Sequence, residues 1–309
     1  MTEYEIDFKS HGRTRVIDIA GPPGAPTLML LHGLGATARL NWGPSFQPLA
    51  QHFRVLSLDH RGHGRGLRTR SFRLEECAAD AAAVARARGV DRLIAVGYSM
   101  GGPIASLLWR EQRDLVSGLV LCATAHQFVS APVGRAARWV LPTAAGVAAW
   151  MPDRARHYVV DSVLRRVEEP ALRDYVQQEV AQHAPASLIQ AVEQLATFSS
   201  RDWIGAIDVP TAVLVMTRDG LVPPGLQYSL AASIPGSQIY EIEGDHLSCT
   251  RHAGAFVPTL VRACRDVSAP PSVDRQAAPG WSKRAESGSQ PSQSATPGRS
   301  EGSARDAST

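Results

Sequence analysis

Short apolar runs recur along the chain, each closed by a polar or glycine-rich stretch. Thr27 to Leu31, Arg54 to Leu58, Arg92 to Gly97 and Leu115 to Ala123 are dominated by Leu, Val, Ile and Ala, and Thr211 to Met216 and Ser237 to Glu243 extend the series. Runs of this length with little polar alternation predict strands buried on both faces, as parallel strands are. Near the start, Glu3 to Phe8 and Thr14 to Ala20 are short and alternating, and His11-Gly12-Arg13 between them predicts a hairpin. Elsewhere the period lengthens. Leu74 to Arg88, Gly102 to Leu108 and a segment from about Ala255 to Arg265 place apolar residues at helical spacing. Strands alternating with helices predict an α/β fold, with a mostly parallel central sheet covered by helices on both faces.

The alternation breaks between His126 and Asp208. Val133 to Val147, Arg154 to Val167, Ala171 to Gln182 and Ser187 to Phe198 read as helices, with no strand among them, and Trp139, Val140, Leu141, Trp150, Met151, Tyr158 and Val159 form an apolar cluster. The expected organisation is a core of residues 1–125 and 207–267, with residues 126–206 as an all-helical insertion over one edge of the sheet. From residue 268 the composition changes again. Ten of the last 42 residues are Ser, five Pro and four Gly, with Val273 and Trp281 the large apolar ones. So little apolar surface cannot offset the entropy of ordering, and residues 268–309 are expected to form a disordered tail.

Composition narrows the partners. A net charge of +3, with no basic stripe, argues against nucleic acid. No run approaches the roughly 18 apolar residues of a membrane span, and Met1 to Asp7 shows no secretory leader. Cys77, Cys122, Cys249 and Cys264 are scattered without C-x-x-C spacing, which implies neither a metal site nor a disulfide framework and fits a cytoplasmic protein. There is no H-E-x-x-H, no phosphate-binding G-x-x-x-x-G-K-[ST], and no G-x-G-x-x-G between strand and helix. No cofactor or metal is expected.

The chemistry concentrates at Gly97-Tyr98-Ser99-Met100-Gly101, which closes one strand and opens a helix. A serine at the apex of so sharp a turn stands clear of the sheet edge, and flanking glycines remove Cβ clashes. A serine hydroxyl needs a base within reach, and the base needs an orienting acid. His246, in Glu243-Gly244-Asp245-His246 after the last strand, is the best-placed base; His252 is expected on the helix that follows. Asp219 follows the strand Thr211 to Met216 and is the expected acid. Its rivals are weaker: Asp208 precedes that strand, and Asp245 adjoins the histidine it would orient. Ser99, Asp219 and His246 all fall where strands end, the edge at which open α/β sheets place their sites. His32 is expected to hold a turn, Asp59, Arg61 and His63 to bond internally, and Cys249 to be inert.

Over residues 1 to about 267 the chain resembles the α/β-hydrolase fold family, with the helical insertion as its cap. The resemblance rests on Leu31-His32-Gly33-Leu34-Gly35, Asp59-His60-Arg61-Gly62-His63-Gly64, Gly97-Tyr98-Ser99-Met100-Gly101-Gly102, Arg218-Asp219-Gly220-Leu221-Val222-Pro223 and Gly244-Asp245-His246. It implies Ser99 as nucleophile, His246 as general base then acid, Asp219 as orienting carboxylate, and the backbone amides of Leu34 and Met100 as the oxyanion hole. It further implies a serine esterase acting on a small apolar ester, lactone or thioester through an acyl-enzyme. The same triad serves carbon–carbon hydrolases, cofactor-free perhydrolases and acyltransferases, and the scaffold also carries non-catalytic ligand receptors. Substrate and oligomeric state are not legible.

Overall fold

A computed structural model describes residues 2–7, 12–129 and 182–269, and elements are numbered through those residues. Eight strands form one sheet in the order β1-β2-β4-β3-β5-β6-β7-β8. They are β1 (Thr2–Asp7), β2 (Arg13–Ile19), β3 (Thr27–Leu31), β4 (Arg54–Leu58), β5 (Leu93–Tyr98), β6 (Val116–Cys122), β7 (Thr211–Met216) and β8 (Gln238–Ile242). β1 and β2 form the expected hairpin, and β2 lies antiparallel to β4. From β4 to β8 every pairing is parallel.

Alternation along each buried strand splits the core into two layers. Met29, Leu31, Ala95, Leu119, Leu121, Val213 and Val215 face one way, onto α2 (Leu74–Ala87) and α3 (Gly101–Glu111). Leu28, Leu30, Val96, Tyr98, Val120, Leu214 and Met216 face the other, onto α1 (Ala38–Ala50) and α7 (Ala253–Ser268). The three-layer α/β expectation is what forms. α7 is longer than its apolar pattern suggested and runs through Ser268, into the stretch read as tail.

α1 has no counterpart in the sequence reading, because Gly43, Pro44 and Pro48 sit inside it. Each interior proline removes an amide donor and costs roughly 3 kcal/mol. Tertiary burial overrides that: Trp42, Phe46 and Leu49 are buried against the sheet, at roughly 1.5–3 kcal/mol each. Thr37 caps the first turn by accepting from the Leu40 amide at 3.2 Å.

The chain leaves the sheet after β6 and returns through a 3-10 turn at Ile204–Ala206 into β7. The two ends of this excursion meet: Gln127 and Ser199 form an isolated antiparallel bridge, and the Ser200 amide donates to His126 O at 2.9 Å. Of the helices expected between them, α4 (Pro185–Thr197) matches the segment read from Ser187 to Phe198. The other three and the cluster from Trp139 to Val159 lie outside the described residues, as do residues 270–309. No helix among the described residues is long and apolar enough to cross a membrane.

Candidate active site

Parallel register places four strand ends along one edge. β3 leads into His32-Gly33-Leu34, β5 into Ser99, β7 into Asp219 and β8 into His246. Ser99 holds φ of 51°, a left-handed conformation that non-glycine residues rarely adopt. The surroundings leave it no alternative. Its amide donates to Cys122 O at 2.9 Å, and its carbonyl accepts from Thr124 Oγ1 at 2.8 Å and the Gly102 amide at 2.9 Å. A Cβ on Gly97 would lie 2.1 Å from Gly101 O, and one on Gly101 would lie 2.0 Å from Leu31 O. Those contacts are why this turn needs glycine on both sides.

The three separated residues meet in a line. Ser99 Oγ lies 3.0 Å from His246 Nε2, and His246 Nδ1 lies 2.7 Å from Asp219 Oδ2. A carboxylate only accepts, so Nδ1 carries the ring proton and Nε2 of the neutral imidazole is left to accept from the serine hydroxyl. The Asp219 side chain is fully buried, and that of His246 is 14% exposed. Burying a carboxylate requires partners at its lone pairs. Asp219 Oδ1 accepts from the Leu221 and Val222 amides at 2.9 Å each, and Oδ2 accepts from Gln227 Nε2 at 3.1 Å besides the histidine. The histidine loop is tied from below, where the Tyr98 hydroxyl donates to His246 O at 2.9 Å.

The rival acids lie elsewhere. Asp208 accepts from Trp109 Nε1 at 3.2 Å and pairs with Arg113, while Asp245 accepts from the Leu247 amide and pairs with Arg251. His252 sits at the junction between α6 (Ser248–Arg251) and α7, as the cap of α7 rather than within it. Cys249 is buried and pairs with no other cysteine; burial pushes its thiol up to about 12, so it is protonated at neutral pH.

The turn after β3 is pinned from three sides. Asn41 Oδ1, on α1, accepts from the Gly33 amide at 2.9 Å; His32 Nδ1 donates to Gly33 O at 2.8 Å, and His32 Nε2 accepts from the His60 amide at 2.9 Å. A Cβ on Gly33 would lie 3.4 Å from the Ser99 Cβ, so the turn runs directly beside Ser99. The next amide is that of Leu34. Neither it nor the Met100 amide donates to an acceptor among the described residues.

Behind the turn is a buried histidine group. The His32 ring lies 4.2 Å from that of His60 and 5.4 Å from that of His63, and the His63 ring lies 5.2 Å from that of His183. His183, reached from the insertion, accepts from the Gly64 amide at 2.8 Å and bonds Gly35 O at 3.1 Å. Desolvation holds the His32 imidazole down at about 3, and lowers His60 and His63 well below their ordinary value. Asp59 accepts from the Ala38 and Arg65 amides at 2.9 Å and pairs with Arg15 at 2.9 Å, and Arg61 holds Asp80 through two contacts of 2.9 Å. His63 Nδ1 bonds Arg61 O at 3.1 Å, so the expected internal bonding at Asp59, Arg61 and His63 is what forms. Asn41, Gln227 and Thr124 escaped the sequence reading. Pro224 at the first turn of α5 (Pro224–Ser233) is a helix-start signal that would have placed Gln227 one turn on.

This edge, with a strand-to-helix serine elbow above a parallel sheet, defines an α/β-hydrolase scaffold. The alpha/beta hydrolase fold family matches residues 26–253, and the chain belongs to it. It is similar to a putative carbamate hydrolase, RutD, of Serratia proteamaculans, at 29% identity over 226 residues, covering 71% of this chain and 83% of that protein. It is likewise 29% identical over 223 residues to a pimeloyl-[acyl-carrier protein] methyl ester esterase of Vibrio vulnificus, covering 69% and 84%. In fold it resembles the enol-lactonase from Burkholderia xenovorans LB400, with a TM-score of 0.70 at 24% identity, covering 85% of this chain and all of that one.

Proposed function

We propose that this chain is a serine hydrolase that cleaves a small apolar carboxylic ester, lactone or thioester through Ser99, His246 and Asp219. The observation that carries the reading is the continuous line Ser99 Oγ–His246 Nε2 at 3.0 Å and His246 Nδ1–Asp219 Oδ2 at 2.7 Å, drawn from three separate strand ends. Ser99 Oγ attacks the acyl carbonyl while His246 Nε2 takes its proton; Asp219 holds the tautomer and stabilises the imidazolium. The Leu34 and Met100 amides receive the negative charge on the carbonyl oxygen. Collapse expels the alcohol, which takes the proton from His246. Water then attacks the acyl-enzyme, with His246 as base, and releases the acid.

The sequence supports an apolar acyl group through the Trp, Leu, Val and Met content of residues 139–159, and residues 126–206 are the proposed cap over the site. An esterase and a carbamate hydrolase among its curated relatives agree with attack on an activated carbonyl. The test is hydrolysis of p-nitrophenyl esters from acetate to palmitate, with a methyl ester and a carbamate in parallel, by the protein and by Ser99→Ala. The expected result is ester turnover with a chain-length optimum, lost by about 10⁴-fold or more in the variant. Undiminished turnover in Ser99→Ala, or none by the native protein on any of these substrates, overturns the proposal.

A further inference from the structure

We infer that Gln227 is a positioning residue of this site, holding the Asp219 carboxylate plane on His246; this rests on the hydrolase reading above. The Gln227 side chain is fully buried on α5 and engages both its N–H donors and its carbonyl oxygen. Its Oε1 accepts from the Met216 amide at 3.0 Å, and its Nε2 donates to Asp219 Oδ2 at 3.1 Å and to Val222 O at 2.7 Å. The amide has one workable orientation, since a flip would set its oxygen against a carboxylate and a carbonyl.

The asymmetry at Asp219 gives this contact its weight. Both backbone donors converge on Oδ1, leaving Oδ2 to be placed by side chains alone. One of those is His246, the group to be oriented, so Gln227 is the independent constraint on where Oδ2 points. It also spans the end of β7, through Met216, and the loop carrying the acid, through Val222. Without it the carboxylate plane can swing about the Oδ1 anchor, and the imidazole loses its fixed aim at Ser99.

Two variants separate this from a structural role. Gln227→Met keeps the approximate shape and removes the donor; kcat is expected to fall about tenfold to a hundredfold, with KM unchanged. Gln227→Glu keeps the acceptor for the Met216 amide and donates to Asp219 only while protonated. Taken as a ratio to the native kcat at each pH, so that protonation of His246 cancels, its kcat is expected to approach the native value at the acid end and to fall as pH rises and the proton shared by two adjacent carboxyls is lost. Asp219 is the titratable group that Gln227 contacts, with His246 behind it.

The readout that needs no substrate is the low-field proton NMR signal of His246 Nδ1–H, followed over pH in the native protein and both variants. Exchange broadening or loss of that signal in Gln227→Met, with retention at low pH in Gln227→Glu, supports the assignment even if no ester proves to be a substrate. An unaltered signal in Gln227→Met, with unaltered kcat per site titrated by an organophosphonate and only a lower Tm, overturns it. Should Gln227→Met not fold, absence of that fall in relative kcat with rising pH in Gln227→Glu overturns it equally.

Discussion

The buried histidines behind the turn that follows β3 make stability fall in mild acid. His32, at about 3, and His60 and His63, well below the ordinary 6.5, are all neutral in the folded protein over the range in which the unfolded chain binds protons. The unfolded state therefore binds more protons, and stability rises with pH across the window from about 3 to 6.5. At pH 5.5 the cost for His32 is on the order of 1 kcal/mol relative to alkaline pH, and His60 and His63 act in the same direction. Against a typical total of about 5–15 kcal/mol, this makes stability sensitive to pH in the range where histidines titrate. Two substitutions divide the group. Neither ring nitrogen of His60 has a partner among the described residues, so His60→Phe gives up no side-chain bond, removes one proton of uptake, and is expected to stabilise by about 1 kcal/mol at pH 7.5. His32→Phe strips partners from both Gly33 O and the His60 amide and is expected to cost about 2–4 kcal/mol at the same pH. Urea unfolding followed by tryptophan fluorescence at pH 7.5, 6.5 and 5.5 measures all of this. A native protein whose stability does not fall between pH 7.5 and 5.5 would refute the reasoning, as would a His60→Phe variant less stable than the His32→Phe one.

Three further outcomes are expected. In Asp219→Asn the amide meets four donors; whichever way it is turned, its NH₂ opposes at least one of them, and the favoured arrangement moves the His246 proton to Nε2. Ester turnover should fall by about 10⁴-fold with a smaller change in KM, measured by steady-state kinetics. Asn41→Ala removes the acceptor of the Gly33 amide, and should lower kcat about tenfold to a hundredfold through a loosened Leu34 turn while leaving phosphonate labelling of Ser99 detectable. Gly101→Ala sets a rigidly placed Cβ 2.0 Å from the backbone oxygen of Leu31, and should lower stability by about 3 kcal/mol or more, read as a fall in Tm and in soluble yield.

Local pattern and tertiary packing divide the molecule unevenly. The eight strands, α2, α3 and α4 were legible, because burial on both faces writes a run and burial on one writes a period. The turns that hold Ser99, Asp219 and His246 were marked in the sequence by their glycines; at the Ser99 turn a Cβ on Gly97 or Gly101 would meet backbone. α1 was not legible, since two prolines and a glycine speak against a helix and only the contacts of Trp42, Phe46 and Leu49 with the sheet override them. Nor were the residues around Ser99, Asp219 and His246. Gln227, Asn41 and Thr124 are ordinary polar residues in sequence, and their roles exist only because α5, α1 and the end of β6 arrive beside Asp219, Gly33 and Ser99.

The sequence by itself determined which residues end strands and where the strand-to-helix turn at Ser99 lies. The tertiary structure alone decided that parallel register brings four strand ends to one edge, so that residues 147 and 27 positions apart come within hydrogen-bond distance. The physical reason is that periodicity reports the burial of a residue, whereas hydrogen-bond geometry between distant segments is set by how whole elements stack.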